Sequence, residues 1–206
     1  MYKRNQAEWS CWKVNTLGRD EKIPNAFLTR IKRLLELDRQ PLDGDNTMAA
    51  FSTSNTPIGK GSEANFSAFD VFCLCLGLDL LDLGFKQSEV VFFLRHTRKD
   101  IQEIYDEILK TSKVHGRNRY GINKDSAVFM LIRKIELKEL FPLIPKEHKG
   151  PIISPPEFCF GSKEFMEKTL DTANRHRKFI VIELAKIAAL LNDFLPQAPV
   201  RTRGRG

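Results

Sequence analysis

The sequence predicts a mainly helical protein with a larger N-terminal unit and a smaller α+β C-terminal domain. Apolar residues recur at three- and four-residue spacing in several stretches between residues 23 and 112, which is typical of amphipathic helices. From Val128 to Leu137 a continuous apolar run turns into an alternation, which favours a strand, with a helix as the alternative. A chain of 206 residues can bury a sizeable core and suits one or two domains.

The clearest helical pattern begins at Ser67. Ser67 and Asp70 form a predicted capping box, in which each side chain reaches the free backbone N–H of the other residue. Gly84 stands where a left-handed helix end needs a residue without a Cβ atom. Phe85 and Val90 are then spaced for a hydrophobic staple at the start of a second helix. The stretch therefore predicts two core helices joined by a sharp corner.

This corner resembles part of a known family. Gly84-Phe85 closes one helix and opens the next, ahead of the sequence Glu-Val-Val-Phe-Phe-Leu at residues 89–94. About thirty of the 206 residues thus resemble the second half of a MerR-type winged helix-turn-helix domain, in which a Leu-Gly-Phe corner joins two helices behind the DNA-reading unit. The resemblance implies a winged helix-turn-helix-like DNA-binding unit over residues 1–112, with the polar residues 41–65 as a flexible loop or wing.

A basic helix precedes this loop. Asn25 is expected to be its N-cap, and it should run to about Arg39 with an apolar stripe on one side. Arginine can donate two hydrogen bonds to a guanine edge, asparagine or threonine can reach adenine or a thymine methyl, and lysine can anchor a phosphate. The resemblance implies that this is the recognition helix, and a solvated face of an ordinary amphipathic helix is an equally open alternative. The residues expected to contact DNA are Asn25, Thr29, Arg30, Lys32, Arg33 and Arg39, with Arg201, Arg203 and Arg205 in the C-terminal tail.

Positive charge is segregated along the chain. Residues 1–40 carry nine Lys and Arg against five acids, and residues 95–120 carry seven against four, whereas residues 41–94 carry two against seven. With a net charge of +7, this distribution favours a polyanionic partner, and a merely basic protein is the alternative. The tail, residues 197–206, adds three arginines and is expected to be disordered.

The second half is expected to follow a basic connector at residues 113–119. Before that connector, Thr97 and Asp100 are expected to start a separate helix that runs to Ser112. The C-terminal domain, residues 120–196, should then contain the strand named above, short strands at 152–153 and 158–160, and a helical region from Gly161.

Apolar residues near the end of this domain have the spacing of a coiled-coil seam, and a buried amphipathic helix is the alternative. A single recognition helix contacts few base pairs, so a homodimer is expected. The seam that would join the two copies consists of Ile180, Leu184, Ile187, Leu191 and Phe194.

The sequence carries no motif that indicates catalysis, a metal site or a cofactor. The four histidines are scattered and share no motif with a serine, cysteine or acid. The four cysteines stand in unrelated contexts, which fits a reducing cytoplasm better than a disulfide framework. Charged residues interrupt the apolar runs and the start lacks an apolar core, so neither a membrane span nor a signal peptide is expected.

The expected function is therefore that of a cytoplasmic, dimeric transcriptional regulator that binds double-stranded DNA and is not an enzyme. The alternative is a non-enzymatic protein–protein adaptor, whose basic surfaces would meet an acidic partner instead of DNA.

Overall fold

The computed structural model shows a mainly helical protein with a small strand component. It describes residues 1–19, 21–40, 49–51, 65–114, 126–135, 152–170 and 179–200. The chain divides into two compact units, of which the first comprises Met1–Lys110 with Lys186–Gly206 and the second comprises Thr111–Ala185. None of the helices in the described ranges is long and apolar enough to cross a membrane.

Six α-helices, one short 3₁₀ helix (Leu195–Gln197) and seven short strands lie within these ranges. The helices are α1 (Arg4–Asn15), α2 (Asn25–Leu37), α3 (Ala68–Asp82), α4 (Gln87–Val114), α5 (Gly161–Leu170) and α6 (Leu184–Phe194). The strands are β1 (Tyr2–Lys3), β2 (Asn65–Phe66), β3 (Val128–Ile132), β4 (Lys134–Ile135), β5 (Ile152–Ile153), β6 (Glu157–Phe160) and β7 (Ile180–Glu183).

Helix α3 is the centre of the first unit. Eleven of its fifteen residues are buried, because its sequence is apolar on every side rather than on one stripe. Helices α1 and α2 both pack on it, and the short pairing of Tyr2 with Phe66 ties the start of the chain to the start of α3. Gly77 lies inside α3, where a Cβ atom would come within 3.2 Å of the Phe51 ring. The glycine therefore makes room for a buried aromatic side chain.

The predicted ends of α3 are confirmed. The Ser67 hydroxyl accepts a hydrogen bond from the Asp70 N–H at 3.0 Å, and the Asp70 carboxylate accepts one from the Ser67 N–H at 2.7 Å. At the other end Gly84 has a φ of 89°, and the N–H of Phe85 donates back to the Leu80 carbonyl at 3.0 Å. This is the pattern of a Schellman motif, which satisfies carbonyls that the helix end would leave free.

The prediction of a separate helix from Thr97 is wrong, since α4 runs without a break from Gln87 to Val114. Thr97 is buried inside it, and its hydroxyl donates to the Phe93 carbonyl one turn earlier at 2.8 Å. A threonine that bonds back in this way does not stop a helix. The helix predicted after the Gly84 corner and the helix predicted from Thr97 to Ser112 are therefore one continuous helix, α4.

The start of α2 also differs from its prediction. Pro24 is the N-cap, and Asn25 is the first helical residue rather than the cap. Proline has a fixed φ and no N–H to satisfy, which suits it to a helix start.

Helix α1 was not among the predicted elements. Its Trp12 ring packs edge-on against Phe27 of α2 at 5.1 Å between centroids, while Trp9 packs against Phe194 at 6.4 Å.

Two buried ion pairs fix the region beyond α2. Asp38 and Arg95 pair at 3.0 Å, and Arg98 pairs with Asp70. The Asp38 carboxylate also accepts the N–H groups of Ala50 and Phe51 at 2.8 and 2.9 Å. Both of these residues are completely buried, so the short segment 49–51 is anchored in the core.

The second unit is built on a three-stranded antiparallel sheet in the order β6–β3–β7. The strand predicted over residues 128–137 is confirmed as far as residue 135, with a break at Arg133 between β3 and β4, and residues 136–137 lie outside the described residues. The predicted short strands are confirmed as β5 and β6. Helix α5 covers one face of the sheet, where Phe165 packs on Phe129 at 4.5 Å between ring centroids.

The predicted helical seam is wrong at its first residue. Ile180 lies in strand β7, opposite Ile132, because the β-branched run of residues 180–182 pairs with β3. Leu184, Ile187 and Leu191 are buried.

The residues from 186 onward belong to the first unit, where Gln6 and Asn5 of α1 donate to the carbonyls of residues 198 and 199. The predicted domain of residues 120–196 is thus divided near residue 186, and the predicted boundary at 112 lies close to the observed one.

Candidate nucleic-acid interface

Helix α2 has one buried face and one exposed polar face. Ile31, Leu34 and Leu35 are buried and attach the helix to α1 and α3. The residues predicted to contact DNA from this helix and its end are all exposed: Asn25, Thr29, Arg30, Lys32, Arg33 and Arg39. The sequence pattern therefore assigned the two faces of α2 correctly.

Some of these polar groups are already engaged within the helix. The Thr29 hydroxyl donates to the Asn25 carbonyl at 2.8 Å, one turn earlier in the helix. The Lys32 ammonium lies 3.7 Å from the Glu36 carboxylate, with both side chains more than half exposed. An exposed pair of this kind contributes little to stability, but Glu36 offsets part of the positive charge on this side of the helix.

Arg30 and Arg33 differ from Lys32. Both line an open concave surface of about 650 Å³ that also includes Lys86, at the junction between the Gly84 corner and α4. In the described part of the chain, none of these three cations has a carboxylate within 4.0 Å. The three charged groups are therefore not held in direct ion pairs with described carboxylates. The surface is completed by Leu37, Leu81, Phe85, Gln87 and Ser88.

The position of Lys86 could not be predicted, because it lies far along the chain from Arg33. Its backbone N–H donates to the Glu89 carboxylate at 3.0 Å, a bond that fixes the start of α4. The Phe85 side chain beside it is buried. Together these two anchors fix the backbone of Lys86 next to α2.

Arg39 lies just beyond α2, between two residues whose carbonyls are fixed. The buried Arg95 guanidinium donates to the Asp38 carbonyl at 2.5 Å and to the Gln40 carbonyl at 3.0 Å. A guanidinium at a helix C-terminus satisfies free carbonyls and opposes the negative end of the helix dipole. Arg95 therefore holds the backbone on both sides of Arg39, a role that the sequence did not reveal.

Several predicted sites lie outside the described residues. These are the tail residues Arg201, Arg203 and Arg205 and most of the predicted wing, residues 41–65, of which only residues 49–51 and 65 are described. Asn65 at the end of the wing region pairs with Lys3 of β1.

Two side chains of types that often take part in catalysis, Cys73 and Tyr105, are buried in the core. Burial raises the pKa of the Cys73 thiol and of the Tyr105 hydroxyl to about 12, so both groups keep their protons at neutral pH. Within the described ranges, no three His, Cys, Asp or Glu side chains come together in a way that could hold a metal ion.

No protein-family model, curated protein or solved structure matches the chain. Any assignment of function therefore rests on the residues themselves.

Proposed function

We propose that the first unit binds double-stranded DNA through the exposed face of α2, as a transcriptional regulator with a MerR-like winged helix-turn-helix arrangement. The observation that carries this proposal is the group of Arg30, Arg33 and Lys86 around one concave surface, none of which forms an ion pair with a described carboxylate. Phosphate oxygens are the natural partners of such cations.

The dimensions of α2 suit a major groove. A helix of 13 residues is about 20 Å long and, with its side chains, about 10–12 Å wide, and the major groove is about 12 Å wide. Arg30 and Arg33 are three residues apart and therefore point to the same side of the helix. One of them can reach a base edge while Lys86 holds a phosphate of the backbone.

We also propose that the protein acts as a dimer, since two recognition helices double the contact with DNA. The predicted seam gives this little support, because Leu184 and Leu191 are completely buried. The surface that joins two copies is therefore left unassigned.

The experiment that tests DNA binding is a titration of the purified full chain against random and genomic duplex fragments at two salt concentrations. Release of condensed counterions predicts that affinity falls by roughly 10³-fold or more between 50 and 200 mM salt, if six or more phosphates are contacted. Absence of duplex binding at the lower salt concentration would refute the proposal and favour the acidic-partner adaptor.

Single substitutions then test the surface itself. Lys86→Ala is expected to reduce the slope of log K against log salt by about one and to weaken all sequences equally, as a phosphate contact should. Arg30→Ala or Arg33→Ala is expected to cost about 1–3 kcal/mol on the preferred sequence only, if that residue reads a base edge. The Arg33→Lys variant separates charge from geometry, since lysine keeps the charge and loses the two parallel hydrogen bonds.

The matched control is Lys163→Ala. Lys163 is exposed on α5 in the second unit, so the variant loses one positive charge at an exposed position outside the first unit. Equal effects of Lys163→Ala and Arg33→Ala would show that binding depends on net charge and not on α2.

A further inference from the structure

Two of the four cysteines face each other in the core of the first unit. Cys11 of α1 and Cys75 of α3 have their sulfur atoms 3.2 Å apart, and the side chains are 0% and 1% exposed. The Cys75 thiol donates to the Cys11 sulfur, and the Cys11 thiol donates in turn to the Val71 carbonyl at 4.0 Å. Neither sulfur needs to turn toward the other, since they are already in contact.

The remaining two cysteines have other neighbours. The Cys73 sulfur lies 3.9 Å from a guanidinium nitrogen of Arg98, and Cys159 lies in strand β6 of the second unit. Cys73 and Cys75 are two positions apart on a helix and therefore point to different sides. Cys11 has only one cysteine beside it.

We propose that Cys11 and Cys75 are a redox-active pair that closes to a disulfide between α1 and α3 when the protein meets a hydroperoxide. A disulfide has a sulfur–sulfur bond of about 2.05 Å, so the two atoms must approach by only about 1 Å. Both thiols sit on packed helices, which holds them in this position.

The reaction balances in two steps. One cysteine, as its thiolate, attacks an oxygen of hydrogen peroxide, which forms a sulfenic acid and releases hydroxide. The thiol of the second cysteine then attacks that sulfur, the S–S bond forms, and the sulfenic oxygen leaves as water. The proton that leaves the first thiol when its thiolate forms converts the hydroxide to water, so that overall two thiols and one hydrogen peroxide give one disulfide and two waters.

The surroundings set the speed of this reaction. Burial raises the pKa of Cys75 well above its usual value, and its hydrogen bond to Cys11 raises it further. Because the thiolate is the attacking form, oxidation is slow and depends on brief opening of α1. The pair is therefore expected to respond to prolonged rather than brief exposure to a hydroperoxide.

The product would enclose α2. The two cysteines are 64 residues apart, and the whole of α2 lies between them. A disulfide that closes a loop of this length restricts the unfolded chain, and the native packing of α1 on α3 changes little. Oxidation therefore stabilises the first unit, whether or not α2 binds DNA.

The test is a peptide map of the native full chain after treatment with hydrogen peroxide. We expect the protein to lose about 2 Da and two of its four titratable thiols, and a non-reducing digest to contain one cross-linked peptide pair with Cys11 and Cys75. Dithiothreitol should reverse both changes. The temperature midpoint of the first unit, followed by tryptophan fluorescence, should rise by roughly 10 °C on oxidation.

Two variants are the controls. Cys73→Ala should still form the cross-link, and Cys75→Ala should not. Retention of all four thiols, oxidation of single cysteines to sulfinic acid, or a cross-link that involves Cys73 or Cys159 would overturn the proposal. The map of the unmodified sequence decides between these outcomes even if Cys75→Ala fails to fold.

Discussion

Replacement of Asp79 by an uncharged residue is expected to stabilise the folded protein. It lies in the last turn of α3, where the negative end of the helix dipole opposes a carboxylate. Burial raises its pKa from 3.8 to about 6, and the nearby Asp82 carboxylate adds to this. The charged form of Asp79 is therefore unfavourable in the folded protein.

The size of the effect follows from the two pKa values. A difference of about 2 corresponds to about 3 kcal/mol, which is an upper value because Asp79 is partly exposed. Below about pH 4 the carboxyl is protonated in both the folded and unfolded chain, and its charge costs nothing. Between about pH 4 and 6 only the unfolded chain ionises, so the folded state loses stability as the pH rises, and above about pH 6 the loss is complete.

Asp79→Asn removes the charge at nearly the same helix propensity. We expect the variant to be about 1–3 kcal/mol more stable than the wild type at pH 7, and equal to it near pH 3.5. The measurement is chemical denaturation across this pH range, followed by tryptophan fluorescence. Both tryptophans, Trp9 and Trp12, lie in α1, so the signal reports the first unit alone.

Two further variants make this test specific. Asp82→Asn should give a smaller gain, since it removes only the neighbouring charge. Asp106→Asn, exposed on α4, should change stability by less than about 0.5 kcal/mol. The reasoning fails if Asp79→Asn is destabilising at pH 7, or if its advantage over the wild type is the same at pH 3.5 and pH 7.

The other expected outcomes concern packing in the first unit. Phe51→Ala should cost about 3–5 kcal/mol in denaturant unfolding, because its ring is completely buried. Gly77→Ala should cost about 1–2 kcal/mol despite the better helix propensity of alanine, because a Cβ atom would meet Phe51 at 3.2 Å; a gain in stability would show that Phe51 can move. Gly84→Ala should cost about 1–2 kcal/mol through its φ of 89° alone, since nothing lies within 4 Å of the added atom. Leu191→Glu should unfold the first unit, seen as lost circular dichroism, and a folded monomer in light scattering would instead support the predicted dimer seam.

The parts of the fold that were predictable are those fixed by neighbours in sequence. The capping box of Ser67 and Asp70 and the glycine at position 84 each act within four residues, so their signals are complete in a short stretch. Thr97 shows the limit of such signals. Its hydroxyl can cap a helix or bond back within one, and packing of the surrounding α4 decides between them.

What could not be predicted depends on contacts between distant residues. Asp38 and Arg95 look in sequence like solvated charges, yet they form a buried pair. The exposed face of α2 was predictable from the helical spacing of its apolar residues. The position of Lys86 beside α2 was not, because it depends on the corner at Gly84 packing against α2. Helix α1 has a weak sequence signal because its buried residues, such as Ala7 and Ser10, are too small to form a conspicuous apolar stripe.

The anchored segment 49–51 has a consequence for how this protein can vary. Asp38 and Arg98 form hydrogen bonds with the backbone of Ala50, and Phe51 fills the space beside Gly77. The connection from α2 to β2 is therefore attached to the core at residues 50 and 51 as well as at its two ends, which divides it into two closed segments. Each closure has its own fixed ends, and doubling the length of a loop costs only about 0.6 kcal/mol. Insertions on either side of the anchor should therefore leave α2 and α3 in place. In related chains we expect the anchoring side chains, Asp38, Arg98 and Phe51, to change only together.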